Sequence, residues 1–219
     1  MKLVIGSRNY SSWSLRTWLL LRHAGIAFEE IPLRFTAPDF KRQVLRYSRA
    51  GRVPVLIDGD LTIWDSLAIA EYIAENFADK LLWPSDRKQR AEARSICAEM
   101  HAGFQALRSA MPMNVGARLP ARGWNIEVQK DITRIAAIWG ARSRFAGTGP
   151  FLFGRFGVAD AYFAPVVWRF NTYEPDLPGQ AAEYMRTMLK LPAMQAWAAE
   201  AAHEDEFVAD DEPYRAAPA

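Results

Sequence analysis

The chain reads as a two-domain protein, with a small α/β domain over residues 1–79, a linker over 80–86 and an all-α domain over 87–219. Three observations predict this. Short apolar, β-branched runs bounded by turn residues all fall before Asp65. After Leu81-Leu82-Trp83-Pro84 no such alternation recurs, and long amphipathic stretches take over. The 219 residues are also long for one domain and comfortable for two, since domains cluster around 100–150 residues, roughly speaking.

The elements follow in order. Residues 2–5 form an apolar strand closed by Gly6, and 14–23 carry helix formers up to the stop at Gly25. Residues 28–33 read as a second strand and 53–57 as a third. The fourth, 61–64, is joined to the third by Asp58-Gly59-Asp60, a hairpin signal. A helix over 66–76 completes the domain. The order β-α-β, connection, β-hairpin, α is the thioredoxin-like plan. The second domain is predicted to hold helices over 86–119, 125–145, 158–170, 181–189 and 192–203, followed by a polar, irregular tail over 204–219.

Composition excludes several function classes. The formal net charge is only +2, and no basic run is interleaved with aromatics, so nucleic acid is not an expected partner. The single cysteine, Cys97, can close no internal disulfide, and no Cys/His cluster has the spacing of a metal site. It is expected to be a core residue in a reducing compartment. The chain enters directly into Leu3-Val4-Ile5 without a charged leader, and no apolar run approaches the ~20 residues that span a bilayer. A cytoplasmic protein with no membrane partner is expected.

Three short segments carry candidate chemistry. Val53-Pro54 opens an apolar strand, where a trans proline would lack a ladder donor; a cis bond would present the Val53 main chain to a bound peptide. A plain edge-strand proline is the other reading. Asp65-Ser66 precedes a helical run and would cap it. The same helix start could also receive a carboxylate, with Asp65 taking an ammonium. Asn9-Tyr10-Ser11-Ser12-Trp13-Ser14 lies at the mouth of the first helix. Its serines are either caps or donors to a ligand sulfur. Moving a thiol from ~8.5 to ~6.5 requires about 2.7 kcal/mol of preference for the anion, within reach of one or two such bonds and the helix end. Gly157-Val158-Ala159-Asp160 opens a further helix, with Asp160 placed to reach back to the Gly157 N–H.

Taken together, the serine loop, Gly51-Arg52-Val53-Pro54-Val55-Leu56, Asp65-Ser66-Leu67-Ala68-Ile69 and Gly157-Val158-Ala159-Asp160-Ala161 resemble the cytosolic glutathione transferases along essentially the whole chain. Ser11-Ser12-Trp13-Ser14 looks like the Ser-Ser-Cys-Ser pattern of the zeta class, which includes maleylacetoacetate isomerases. Trp13 stands where that class has cysteine, which weighs against zeta-type isomerisation and leaves a serine-type transferase mechanism intact. Gly157 stands where the family usually has Ser or Thr.

The resemblance implies glutathione as cosubstrate, a small electrophilic second substrate and a homodimer. It implies that Ser11, or alternatively Ser12, contacts the sulfur. Val53, ahead of cis Pro54, would bind the cysteinyl backbone, Asp65 and Ser66 the γ-glutamyl end, and Arg52 the glycine end or the same backbone. Conjugation is the main reading; isomerisation through a glutathione adduct, or a non-catalytic binding module, are the alternatives. The second-substrate pocket is expected between the serine loop and the first long helix of the second domain. Met100, Phe104, Leu107 and Met111 there recur at helical spacing and read as core more readily than as pocket lining.

Overall fold

A computed structural model describes residues 1–215. The first domain is built on β1 (Lys2–Ile5), α1 (Ser12–His23), β2 (Glu29–Pro32), α2 (Phe40–Leu45), β3 (Val55–Asp58), β4 (Leu61–Trp64) and α3 (Ser66–Asn76). The strands lie in the order β2-β1-β3-β4. β1 runs parallel to β2 and antiparallel to β3, and β3 and β4 form the expected hairpin. Alternation along the strands decides which helix covers which face. Leu3, Ile5 and Leu56 join the large core with α1 and α3, while Val4 and Val55 pack on the opposite face with Val44 of α2. This is the thioredoxin-like architecture predicted.

The second domain contains α4 (Arg87–Ala102), α5 (Gln105–Ala110), α6 (Ile126–Gly140), α7 (Val158–Tyr173), α8 (Gly179–Leu189) and α9 (Pro192–Ala201). α7 is apolar on nearly all sides and buried along almost its whole length, as such a helix must be. It packs on α1, α4 and α8 and so joins the two domains.

Two helices depart from expectation. The one predicted over 86–119 is broken in two at Gly103-Phe104. A Cβ on Gly103 would lie 2.8 Å from the Glu99 carbonyl oxygen, and Phe104 turns the chain at φ +59°. Arg108 stabilises the break: its guanidinium donates to the carbonyls of Gly103, Met100 and His101, which α4 leaves without helical partners. Residues 111–125, with Pro112 and Pro120, then run without helix or strand. The helix predicted over 125–145 ends at Gly140 and passes into a 3-10 segment, Ala141–Thr148.

The start of α7 explains the glycine at 157. Its N–H donates to the Asp160 carboxylate at 3.0 Å, the expected capping bond, and a Cβ there would meet the Leu82 carbonyl oxygen at 2.5 Å. A Ser or Thr cap would therefore collide with the linker. The predicted irregular tail contains one short 3-10 turn, Ala209–Asp211; its last four residues lie outside the described residues.

Candidate functional site

A cavity of about 440 Å³ opens between the two domains, walled by Trp13, Ala50, Arg52, Val53, Trp64, Asp65, Ser66 and His101. Four of the residues singled out in the sequence thus share one wall. A wider surface depression of about 560 Å³, beside His23 and Phe156, contains none of them.

Each contribution has a local cause. The Val53-Pro54 bond is cis, as expected, and Pro54 is buried. Ladder pairing of β3 begins only at Val55, so the Val53 N–H and C=O lie outside the strand ladder, on a residue that lines the cavity. Asp65 adopts φ +73° and ψ 129°, positive-φ backbone outside the left-handed helical region, which costs a non-glycine residue energy. The turn aims its carboxylate in two directions. Oδ1 accepts from the Leu67 N–H at 2.8 Å and caps α3, while Oδ2 lies 3.3 Å from His101 Nε2. Burial lowers the His101 pKa below its ordinary value, with Asp65 opposing the shift, so the pair is a neutral-imidazole contact at pH 7. Ser66 is the first residue of α3; its Oγ is 3.0 Å from the hydroxyl of Tyr162 on α7.

The serine turn lies behind the wall. Trp13 reaches the cavity, whereas Ser11 and Ser12 are buried and do not line it. Ser11 caps α1. Its Oγ is 2.7 Å from Ser14 Oγ and accepts from the Ser14 N–H at 3.3 Å. Ser14 Oγ in turn accepts from the Gly6 N–H at 3.1 Å. Among the described residues, Ser12 makes no side-chain hydrogen bond with the rest of the chain.

Cations and rings back this wall. The Arg16 guanidinium sits 4.3 Å from the Trp13 ring centre and 4.7 Å from that of Tyr162, and Arg108 sits 5.1 Å from Trp13. Burial lowers the pKa of Arg16 to about 10 and that of Arg108 in the same direction. Cys97 is buried in the core with its thiol pushed well up by burial, which suits the structural role expected of it. Met100, Phe104, Leu107 and Met111 are likewise core. Among the described residues no cluster of His, Cys, Asp and Glu could hold a metal ion, and no helix is long and apolar enough to cross a membrane.

The sequence reading missed the tail. Glu204 accepts from the Ser7 hydroxyl at 2.6 Å and from the N–H groups of Arg8 and Asn9 at 2.8 and 3.1 Å. Tyr10 donates to Glu212 at 2.8 Å. The far end of the chain therefore clamps the loop that leads into Ser11. Neither hydrophobic period nor motif marks such contacts, which cross almost the whole sequence. His101 and Tyr162 were missed for a different reason: each is one polar group within a stretch that reads as buried helix.

Comparison with known proteins adds three findings. Residues 10–76 match the N-terminal domain, and residues 90–200 the C-terminal domain, of the glutathione S-transferases. The zeta class glutathione S-transferase of Euphorbia esula is 27% identical over 188 residues, 81% of either chain. Glutathione S-transferase 1 of Dianthus caryophyllus is 30% identical over 114 residues, and the chain spans about half its length, 51%. Among solved structures, a glutathione transferase homolog from Burkholderia gl BGR1, with bound glutathione, is similar at a TM-score of 0.67 and 23% identity, over 92% of this chain and 97% of that one.

Proposed function

The chain belongs to the glutathione S-transferase family, and from that premise we propose that it binds glutathione in the 440 Å³ cavity and activates its thiol for attack on a small, hydrophobic electrophile. The observation that carries this is the shared wall. An unpaired main-chain edge at Val53, a carboxylate at Asp65 and a helix start at Ser66 meet the three needs of a γ-glutamyl peptide: a strand partner, a site for its ammonium and a site for its carboxylate. Arg52 offers a cation to the glycine carboxylate from the same wall.

The serine turn supplies the chemistry. The Ser11 hydroxyl donates to Ser14 Oγ, which also accepts from the Gly6 N–H; a sulfur anion that reached Ser11 would draw the Ser11 proton to itself and let the Ser14 hydroxyl rotate to donate to Ser11 Oγ in its place. The three groups form a chain of donors that strengthens when its last member meets an anion. Ser12, with no hydroxyl partner among the described residues, is the alternative donor. Either serves at the positive end of α1.

The test is a steady-state assay with glutathione and an aromatic electrophile, beside a binding titration with glutathione alone. Saturable binding with turnover is expected. Binding without turnover on a broad panel of electrophiles would support the non-catalytic module instead. We propose also that the chain works as a homodimer in the cytoplasm. Leu61 and Trp64, about half exposed on the edge strand β4, are suited to burial by a second copy. Light scattering should read the mass of two chains; one chain at micromolar concentration would exclude the dimer. Recovery of the protein outside the cytoplasmic fraction would contradict the location.

A further inference from the structure

The helix start that carries Ser66 is held from the other domain by one buried contact, Ser66 Oγ to the Tyr162 hydroxyl at 3.0 Å. Against the face of that phenol lies Arg16, 4.7 Å from the ring centre. Arg16 is only 1% exposed, and its Nε and Nη1 have no hydrogen-bond partner. No carboxylate lies within salt-bridge distance of it among the described residues. Its other charged neighbours include Arg108 and Arg169, which repel it, and Asp65, which is engaged with His101 and the α3 cap. A guanidinium buried without a counter-ion is costly, and the Trp13 ring on which it packs, 4.3 Å away, lines the cavity together with Ser66.

We infer that Tyr162, with the charge of Arg16 behind it, is a positioning residue that sets Ser66 to receive the γ-glutamyl α-carboxylate. The inference rests on the glutathione reading of the cavity. Burial raises the Tyr162 pKa, so the phenol keeps its proton, and the adjacent cation makes that proton a stronger donor. Tyr162 then donates to Ser66 Oγ, which leaves the Ser66 proton free for the ligand. Asp65 already occupies the Leu67 and Ala68 N–H groups. The Ser66 N–H and O–H remain as the pair of donors at this helix start, and Arg16 supplies the compensating charge from below.

The test compares two ligands by calorimetry: glutathione, and 4-aminobutyryl-cysteinyl-glycine, which keeps the amine and lacks the carboxylate in question. The unaltered protein should prefer glutathione. Tyr162→Phe keeps the ring and should reduce that preference about tenfold, the usual scale for one hydrogen bond to a charged group, by weakening glutathione while leaving the analogue nearly unchanged. Arg16→Met should act in the same direction. A structural lesion would weaken both ligands alike, and that result, or an unchanged preference in Tyr162→Phe, overturns the inference. If Tyr162→Phe does not fold, the Arg16→Met preference decides in the same way. An unaltered protein that binds no glutathione contradicts the reading of the cavity itself, and this inference with it.

Discussion

Ser11→Ala should lower turnover roughly 10- to 150-fold near neutral pH while leaving glutathione affinity within a few-fold. The range is the rate equivalent of about 1.5–3 kcal/mol, the cost of one lost hydrogen bond to an anion. Affinity survives because Val53, Asp65 and Ser66 make the proposed binding contacts on a separate stretch of wall. The hydroxyl acts chiefly on the ionised sulfur, so its loss lowers the fraction of bound glutathione present as thiolate more than it lowers affinity. In this account the Ser11 hydroxyl, which donates to Ser14 Oγ in the unliganded chain, turns to the sulfur when glutathione binds, so Ser12→Ala should be mild. The measurement is kcat beside glutathione KM for both variants. A loss confined to Ser12→Ala would transfer the role to Ser12, and no loss in either would refute the serine mechanism.

Asp160→Ala should cost about 3–5 kcal/mol in stability, because it leaves three buried donors without an acceptor. These are the N–H groups of Leu152 and Gly157 and the Tyr184 hydroxyl, each at 3.0 Å. The substitution should also remove a pH dependence. Burial pushes the Asp160 pKa from 3.8 up to about 6, so the folded state holds a proton that the unfolded chain gives up between those values. The stabilisation is fully present below the unfolded value and is lost as pH rises through about 6, amounting to roughly 3 kcal/mol for a shift of this size. Asp211, also raised to about 6 by burial, adds to the trend in the same direction. His23 and His101, whose pKa values burial lowers, act in the opposite direction, so the expected result is the difference: urea denaturation at intervals from pH 4 to pH 7 should show the unaltered protein losing stability relative to Asp160→Ala as pH rises. Equal slopes would contradict this.

How much of this was legible in the sequence varied with the range of the forces involved. The strands and the Asp58-Gly59-Asp60 hairpin were readable because period and turn chemistry are local. So was the wall formed by Arg52, Val53, Asp65 and Ser66, since the cis bond and the helix cap are each made by neighbouring residues. The break after Ala102 was not. A glycine inside a helical pattern is ordinarily tolerated, and only the fold brings Arg108 back onto the carbonyls that the break exposes. Glu204 was illegible because it acts on partners 195 to 197 residues away, and His101 and Tyr162 because each is a single polar group in a stretch that reads as buried helix. The sequence also left open which serine would face a bound sulfur. In the structure the Ser11 hydroxyl donates to Ser14 Oγ, and among the described residues Ser12 has no side-chain hydrogen bond.

The central claim is that this cavity binds glutathione and lowers the pKa of its thiol. The most direct test is the ultraviolet thiolate absorbance of glutathione bound to the unaltered protein, followed against pH. The account predicts an ionisation displaced downward by about two units from the free thiol, the shift that one or two charge-assisted hydrogen bonds and a helix end can supply. Binding with the ionisation of free glutathione unchanged, or no binding, would contradict it.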